Sequence, residues 1–436
     1  DREAFQEVDF RTMYRPLAQW VAQVEDVRRI PEYVNRAWLT AMSGRPGPVV
    51  LVFPEDVLFD EADVHDLPPV DVPDMVAPPH TAASVNKFFD GAKQPVIIVG
   101  GSGWSERLRV GIAKFAARNN LPVVAEFRCQ DYMDNAHDNY IGDLGISTGP
   151  ELAEMVRSSD RILCIGARLG ELPTRKYSLI EAPIPNAGLF HVHPDIGELG
   201  KVYKPDVAIN ATSASFLNMI EDLELEICGD WANWTRQGRE AYLKHSTLVD
   251  DHPAFTNEQV IDWLQSQLPP DTIVASGSGI SSGVLHRFYR YGAAYRTQLA
   301  PVAGSMGYSV PAGISAKLCA PNRKVVVVCG DGCFMMTAQE LATAAQLQLE
   351  LLVVVINNSV LGTIRKHQER HYPKRVIATD LLNPDFAKFA ESFGGLGRTV
   401  HSIEELAEAY QETTEFRGIS LIDVKVDKER YIDSLV

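Results

Sequence analysis

The 436-residue chain lacks any apolar run approaching the length of a membrane span. Its most apolar stretches, such as those at 325–329 and 351–356, are five or six residues long, against about 20 for a spanning helix. No signal-like start precedes them, and a membrane partner is excluded on that reading. Positive charge is also scarce. With 41 Lys and Arg against 57 Asp and Glu, the net charge is −16, which argues against nucleic acid or an anionic membrane as partner. It leaves open a phosphorylated ligand held through a cation. The six cysteines, Cys129, Cys164, Cys228, Cys319, Cys329 and Cys333, form no CxxC pair. Several sit in apolar contexts, so they read as reduced thiols of a cytoplasmic protein. Short internal repeats are absent. Gly101-Ser-Gly103 begins a dinucleotide fingerprint after an apolar run but lacks its third glycine, which leaves a nucleotide site weakly supported.

What is present is concentrated between Gly330-Asp331-Gly332 and Asn357-Asn358, separated by 24 residues. Apolar 324–329 and 351–356 read as buried parallel strands, and 338–346 as the helix between them. In a βαβ unit of this kind both strand ends open onto one crevice, so Asp331 and Asn358 can share a hard cation. Mg²⁺ takes a few oxygen ligands from protein and the rest from phosphate and water. A GDG turn alone is often structural, as is an Asn pair after a strand. Together, between two buried strands, they make a specific signal. Residues 276–283, Ser-Gly-Ser-Gly-Ile-Ser-Ser-Gly, follow another apolar run and precede a helix near 285–288. They form a second place where backbone and hydroxyl groups can hold phosphate.

These motifs resemble the thiamine-diphosphate signature, and the chain is similar along nearly its whole length to the acetolactate-synthase-like branch of those enzymes. The resemblance implies an α/β fold of doubly wound parallel-sheet domains, a thiamine-diphosphate-binding fold plus a central Rossmann-like domain. It implies thiamine diphosphate and Mg²⁺ as cofactors, with Asp331, Asn358 and the Val360 carbonyl as metal ligands. Gly330, Gly332, Cys333, Phe334, Leu361 and Gly362 are implied beside the cofactor, as are Gly279, Ile280 and Ser281, although the family often has Gln-His where this chain has Ile280-Ser281. Gly304, Ser305, Met306, Gly307 and Tyr308 supply the family's G-x-M-G-[YF] segment. By that likeness Met306 is the apolar wedge that keeps the cofactor bent, and the Gly304 carbonyl receives the pyrimidine amino group.

Residues 1–9 resemble a segment well inside the family's first domain, and 40–56 resemble its last strand. About two thirds of the pyrimidine-binding domain is therefore expected to be missing, with the glutamate that activates the pyrimidine. The chain alone is then expected to be catalytically silent. The expected organisation is a remnant of that domain at 1–60, a Pro- and Asp-rich linker at 61–80, the central domain at 81–226, a linker at 227–255 and the diphosphate domain at 256–436. In the central domain, Gly145-Ile-Ser-Thr148 replaces the Met-His-Gly segment that helps bind flavin, so FAD is possible but not favoured. His191 and His193 alternate on a strand, and two residues without a third make a poor metal site.

Substrate choice is the least legible feature. His367 stands where acetohydroxyacid synthases place a tryptophan that selects the second 2-oxo acid, and Gln19 where they have a lysine. His367, with Arg365 and Lys366 beside it, therefore reads either as the contact for a polar acceptor or as part of a solvated basic helix face. The activity implied is decarboxylation of a pyruvate-like 2-oxo acid with carboligation to an acceptor carbonyl, in a homodimer or homotetramer. The alternatives are a simple 2-oxo acid decarboxylase or C–C lyase of the same family, and a noncatalytic cofactor-binding remnant. A flavin or nicotinamide oxidoreductase built on the central sheet is the rival from outside the family.

Overall fold

A computed structural model describes residues 3–68, 70–249, 254–292 and 294–428. The ends of the expected 227–255 and 256–436 segments thus fall partly outside the described residues. The first segment pairs β1 (Trp20–Gln23) with β2 (Val49–Val52) in parallel, covered by the helix Ile30–Met42. Residues 61–80 have no regular element among those described, yet Ala77 is buried and its amide donates to Ser215 Oγ at 2.8 Å.

Two six-stranded parallel sheets follow. The central one comprises β3 (Pro95–Val99), β4 (Val123–Ala125), β5 (Tyr140–Asp143), β6 (Arg161–Ile165), β7 (Gly188–Val192) and β8 (Val207–Ile209), ordered β5-β4-β3-β6-β7-β8. The last comprises β9 (Ile273–Ser276), β10 (Gln298–Leu299), β11 (Val325–Gly330), β12 (Leu351–Asn357), β13 (Leu396–Val400) and β14 (Ile419–Lys425), ordered β10-β9-β11-β12-β14-β13. Parallel strands are covered on both faces, which is why β3, β11 and β12 are apolar without alternation. The expected doubly wound α/β class is what the sheets show.

The stretch expected as a linker at 227–255, with a Trp- and charge-rich helical part through Lys244, holds that helix and packs it onto the central domain. Trp231–Ser246 is a helix whose Trp231 and Trp234 are buried, their indole N–H groups donating to the carbonyls of Ala92 (2.9 Å) and Pro95 (3.0 Å). Two indoles with carbonyl partners bury apolar area that a solvated linker would waste. The expected helix at 338–346 begins as a 3₁₀ turn, Ala338–Glu340, and becomes α-helical only at Leu341–Gln346.

The central sheet grips the last one through a short turn after β4. Asp131 Oδ2 accepts the amides of Thr297 (2.9 Å) and Gln298 (3.1 Å), and Gln130 Nε2 donates to the His286 carbonyl at 2.7 Å. These buried bonds fix β10 and the helix Ile280–Phe288, both of which lead into the site.

Candidate functional site

The carboxyl ends of β9, β11 and β12 open onto one cavity of about 250 Å³. Gly279 ends the first loop at φ +104, a conformation that admits glycine readily, and the helix behind it has no side-chain N-cap. A second helix, Gly362–His371, also starts at the cavity without a side-chain cap. Uncapped first turns present amide donors and the positive end of the helix dipole, which suits an anion. The hydroxyl of Thr363 lines the same wall and is buried without a hydrogen-bond partner. A buried orphan donor of this kind is costly unless a ligand completes it.

The Met306 loop forms another wall. Gly304 and Gly307 adopt φ of +73 and +83, the Gly307 amide donates to Cys333 Sγ at 3.3 Å, and Thr337 Oγ1 donates to the Gly307 carbonyl at 2.7 Å. These bonds tie the loop to the GDG turn. Met306 remains partly exposed at the cavity.

Asp331 opens a four-residue helix and is 3% exposed. Its Oδ1 accepts the Gly332 amide (2.8 Å), and its Oδ2 accepts the Ser359 amide (2.8 Å) and Asn383 Nδ2 (2.7 Å). Burial nevertheless holds its pKa above the usual carboxylate range, with the Asn383 bond and the two amides pulling the other way. A divalent cation beside it would reverse that balance. Among the described residues Asn358 Oδ1 accepts the Val360 amide (3.2 Å), and the Val360 carbonyl accepts the Gly362 amide (2.9 Å). These two oxygens and Asp331 Oδ1 each keep a lone pair, and a donor set made of oxygens fits Mg²⁺. A side chain at Gly332 would meet Leu361 Cδ2 at 2.7 Å, so the turn packs against the opposite wall only because it is bare there.

The cavity brings together Gly279, Ile280, Ser281, Gly304, Met306, Gly330, Asp331, Gly332, Cys333, Asn358, Val360, Leu361 and Gly362. Two expected residues lie elsewhere. Phe334 is fully buried in the core, its ring edge-on to Phe386 at 5.2 Å, because the turn of helix begun at Asp331 carries it away from the crevice. His367 is exposed and stacks on His371 at 6.1 Å, a full turn beyond Thr363 and Ile364, the last cavity-lining residues of that helix. Arg365 is engaged with Glu369 (3.2 Å) and Asp380 (3.1 Å). Sequence reasoning missed Thr256, Asn257 and Glu258, and also Val426 and Asp427 beyond β14, all of which rim the cavity. It missed Asn383 as well, which bridges Asp331 and the Asn357 side chain.

The central sheet has the corresponding crevice at its own reversal of strand order. There the loops touch: a side chain at Gly101 would meet the Gly166 carbonyl oxygen at 2.0 Å, and one at Gly100 would meet Glu126 Oε2 at 2.2 Å. Glu126 Oε1 accepts the Arg168 amide at 3.1 Å. Burial pushes this carboxyl up to about 7. His191 is buried with Nε2 on the Ala167 carbonyl (2.9 Å), and among the described residues no group of three or more His, Cys, Asp or Glu could hold a metal.

Residues 277–424 match the model of the thiamine pyrophosphate enzyme C-terminal TPP binding domain, and residues 82–220 that of the thiamine pyrophosphate enzyme central domain. The chain carries two domains of the thiamine pyrophosphate enzymes. It is 29% identical to the acetolactate synthase large subunit of Corynebacterium glutamicum, over 95% of this chain and 68% of that protein. The large subunit from Haemophilus influenzae is 28% identical over 99% of this chain and 77% of its own length, as is the isozyme 3 large subunit of Escherichia coli. The matches span nearly all of this chain and between 68% and 77% of those relatives' own lengths. No helix among the described residues is long and apolar enough to cross a membrane.

Proposed function

We propose that this thiamine pyrophosphate enzyme binds thiamine diphosphate with Mg²⁺ and uses them to decarboxylate a pyruvate-like 2-oxo acid, joining the remaining fragment to an acceptor carbonyl. The carrying observation is the convergence of the GDG turn, the Asn358–Val360 segment and two uncapped helix starts on one cavity. Asp331, Asn358 and the Val360 carbonyl would hold the cation, while the amides behind Gly279 and Gly362 and the Thr363 hydroxyl would receive the diphosphate. Once bound, the cofactor supplies the electron sink for loss of CO₂. Met306 would keep the cofactor bent, and the Gly304 carbonyl would orient its amino group. Leu361 and Ile364 would give the reacting carbons an apolar wall. We infer further that FAD is not a cofactor, since Glu126 sets a carboxylate against the glycine turn where a dinucleotide diphosphate would lie. We read the assembly as a homodimer or homotetramer; the large-subunit names of the relatives support an assembly of some kind, and exposed Leu17, Trp38 and Phe59 offer apolar surface for one.

Calorimetric titration of the protein with thiamine diphosphate, with and without Mg²⁺, tests the cofactor reading; CO₂ release from pyruvate and light scattering test the reaction and the assembly. Tight binding only with Mg²⁺ is expected. Binding unaffected by chelator, or no binding at all, overturns it.

A further inference from the structure

Arg128 is 8% exposed and belongs to the central domain, yet its guanidinium enters the last domain. One terminal nitrogen donates to the Pro301 carbonyl, and the other reaches the Gly277 carbonyl (3.4 Å) and Ser278 Oγ (3.5 Å). Pro301 begins the loop that carries Gly304 and Met306, and Ser278 lines the cavity. Its Nε is buried without a partner, and its backbone sits at φ +63, uncommon for a side chain of this size. Such a conformation persists only where surroundings over-determine it. Among the described residues no carboxylate pairs with this cation. Burial draws its pKa down to about 10, so it stays charged at neutral pH. The guanidinium also lies over the Phe127 ring, 4.7 Å from its centre, so these partners are all neutral; a buried cation without a counter-charge is expensive, and an anion nearby would offset that cost.

We propose that Arg128 is a positioning residue of the cofactor cavity, a cation supplied by the central domain whose field selects ligands bearing a diphosphate. The proposal rests on the cofactor reading above. It makes the central domain a contributor to the site in place of a spacer. Arg128 acts through the Ser278 and Pro301 loops and through its field, without needing direct contact with the ligand.

The test compares three ligands, thiamine diphosphate with Mg²⁺, Mg·pyrophosphate and unphosphorylated thiamine, on the full chain by calorimetry. Arg128→Gln and Arg128→Met both remove the charge, and the second fills the space with apolar volume, so that loss of fold in one leaves the other to decide. Either should weaken the two diphosphate ligands roughly tenfold, while thiamine changes less than twofold. Arg128→Lys should restore most of the lost diphosphate affinity. Equal weakening of all three ligands would reduce Arg128 to a structural clamp and overturn the proposal, as would unchanged binding. Failure of the unaltered protein to bind thiamine diphosphate would instead sink the cofactor reading, whereas binding of Mg·pyrophosphate that ignores the residue at 128 would sink only this inference.

Discussion

The central and last sheets are two versions of one architecture, six parallel strands with a crevice where the strand order reverses, and only the second crevice is open. In the central sheet Gly101 and Gly166 bring their backbones into contact, and Glu126 closes what remains. In the last sheet Gly279, Gly304 and Gly330 line an open cavity of about 250 Å³. Fold alone therefore does not specify a site. Loop chemistry does: one crevice spends its glycines on backbone contact and the other on leaving room for a ligand.

That contrast can be broken most severely at Asp331. Asp331→Ala should abolish Mg²⁺-dependent thiamine diphosphate binding, by more than roughly a hundredfold in titration, while the same measurement on Glu126→Gln should be unchanged. Gly101→Ala should act in the opposite sense, leaving cofactor affinity of the folded protein intact but costing about 2–3 kcal/mol of stability in denaturant unfolding, because a Cβ would strike the Gly166 carbonyl at a φ of +74. Met306→Ala should lower turnover about tenfold with little change in cofactor affinity; equal turnover would make Met306 only a wall residue. The smallest effect is electrostatic. The Glu126 carboxyl is raised by burial from 4.5 to about 7, so the stability it contributes is complete below pH 4.5 and is lost as pH rises through 7. The unfolding free energy of Glu126→Gln, read from denaturant titration, should therefore overtake that of the unaltered protein across this window, by roughly 1–2 kcal/mol after screening, and parallel pH curves would remove Glu126 from the account.

The apolar strands were legible because burial on both faces leaves an unbroken run, as in β3, β11 and β12. The short β5 and β8 were not, since Tyr140–Asp143 and Val207–Ile209 offer too few residues for a period to show. The GDG turn and Asn pair announced the cavity because their chemistry depends on local sequence. Phe334 and His367 were misplaced for a related reason: a motif gives neighbours along the chain, whereas a helix decides which of them turn inward. Asn383, Thr256 and Asp427 carried no local signal at all, because topology alone brings them to the rim. Arg128 was equally silent, being a lone cation between an apolar strand and a polar turn.

The sheet order has a consequence for when the site can exist. Neighbouring strands are all parallel, so no pair can form as a hairpin, and β14, among the last elements in the chain, inserts between β12 and β13. Val426, on the cavity rim just beyond β14, donates its amide to the Asn357 carbonyl at 3.1 Å. A nascent or partly unfolded chain thus has the motifs without the cavity, and folding through such long-range pairings is slow. Ligand binding is coupled to completion of the last crossover. Saturating cofactor at a hundred times its dissociation constant should add about 2.7 kcal/mol to the stability of the finished domain, making cofactor supply a determinant of how much of the protein survives its own folding.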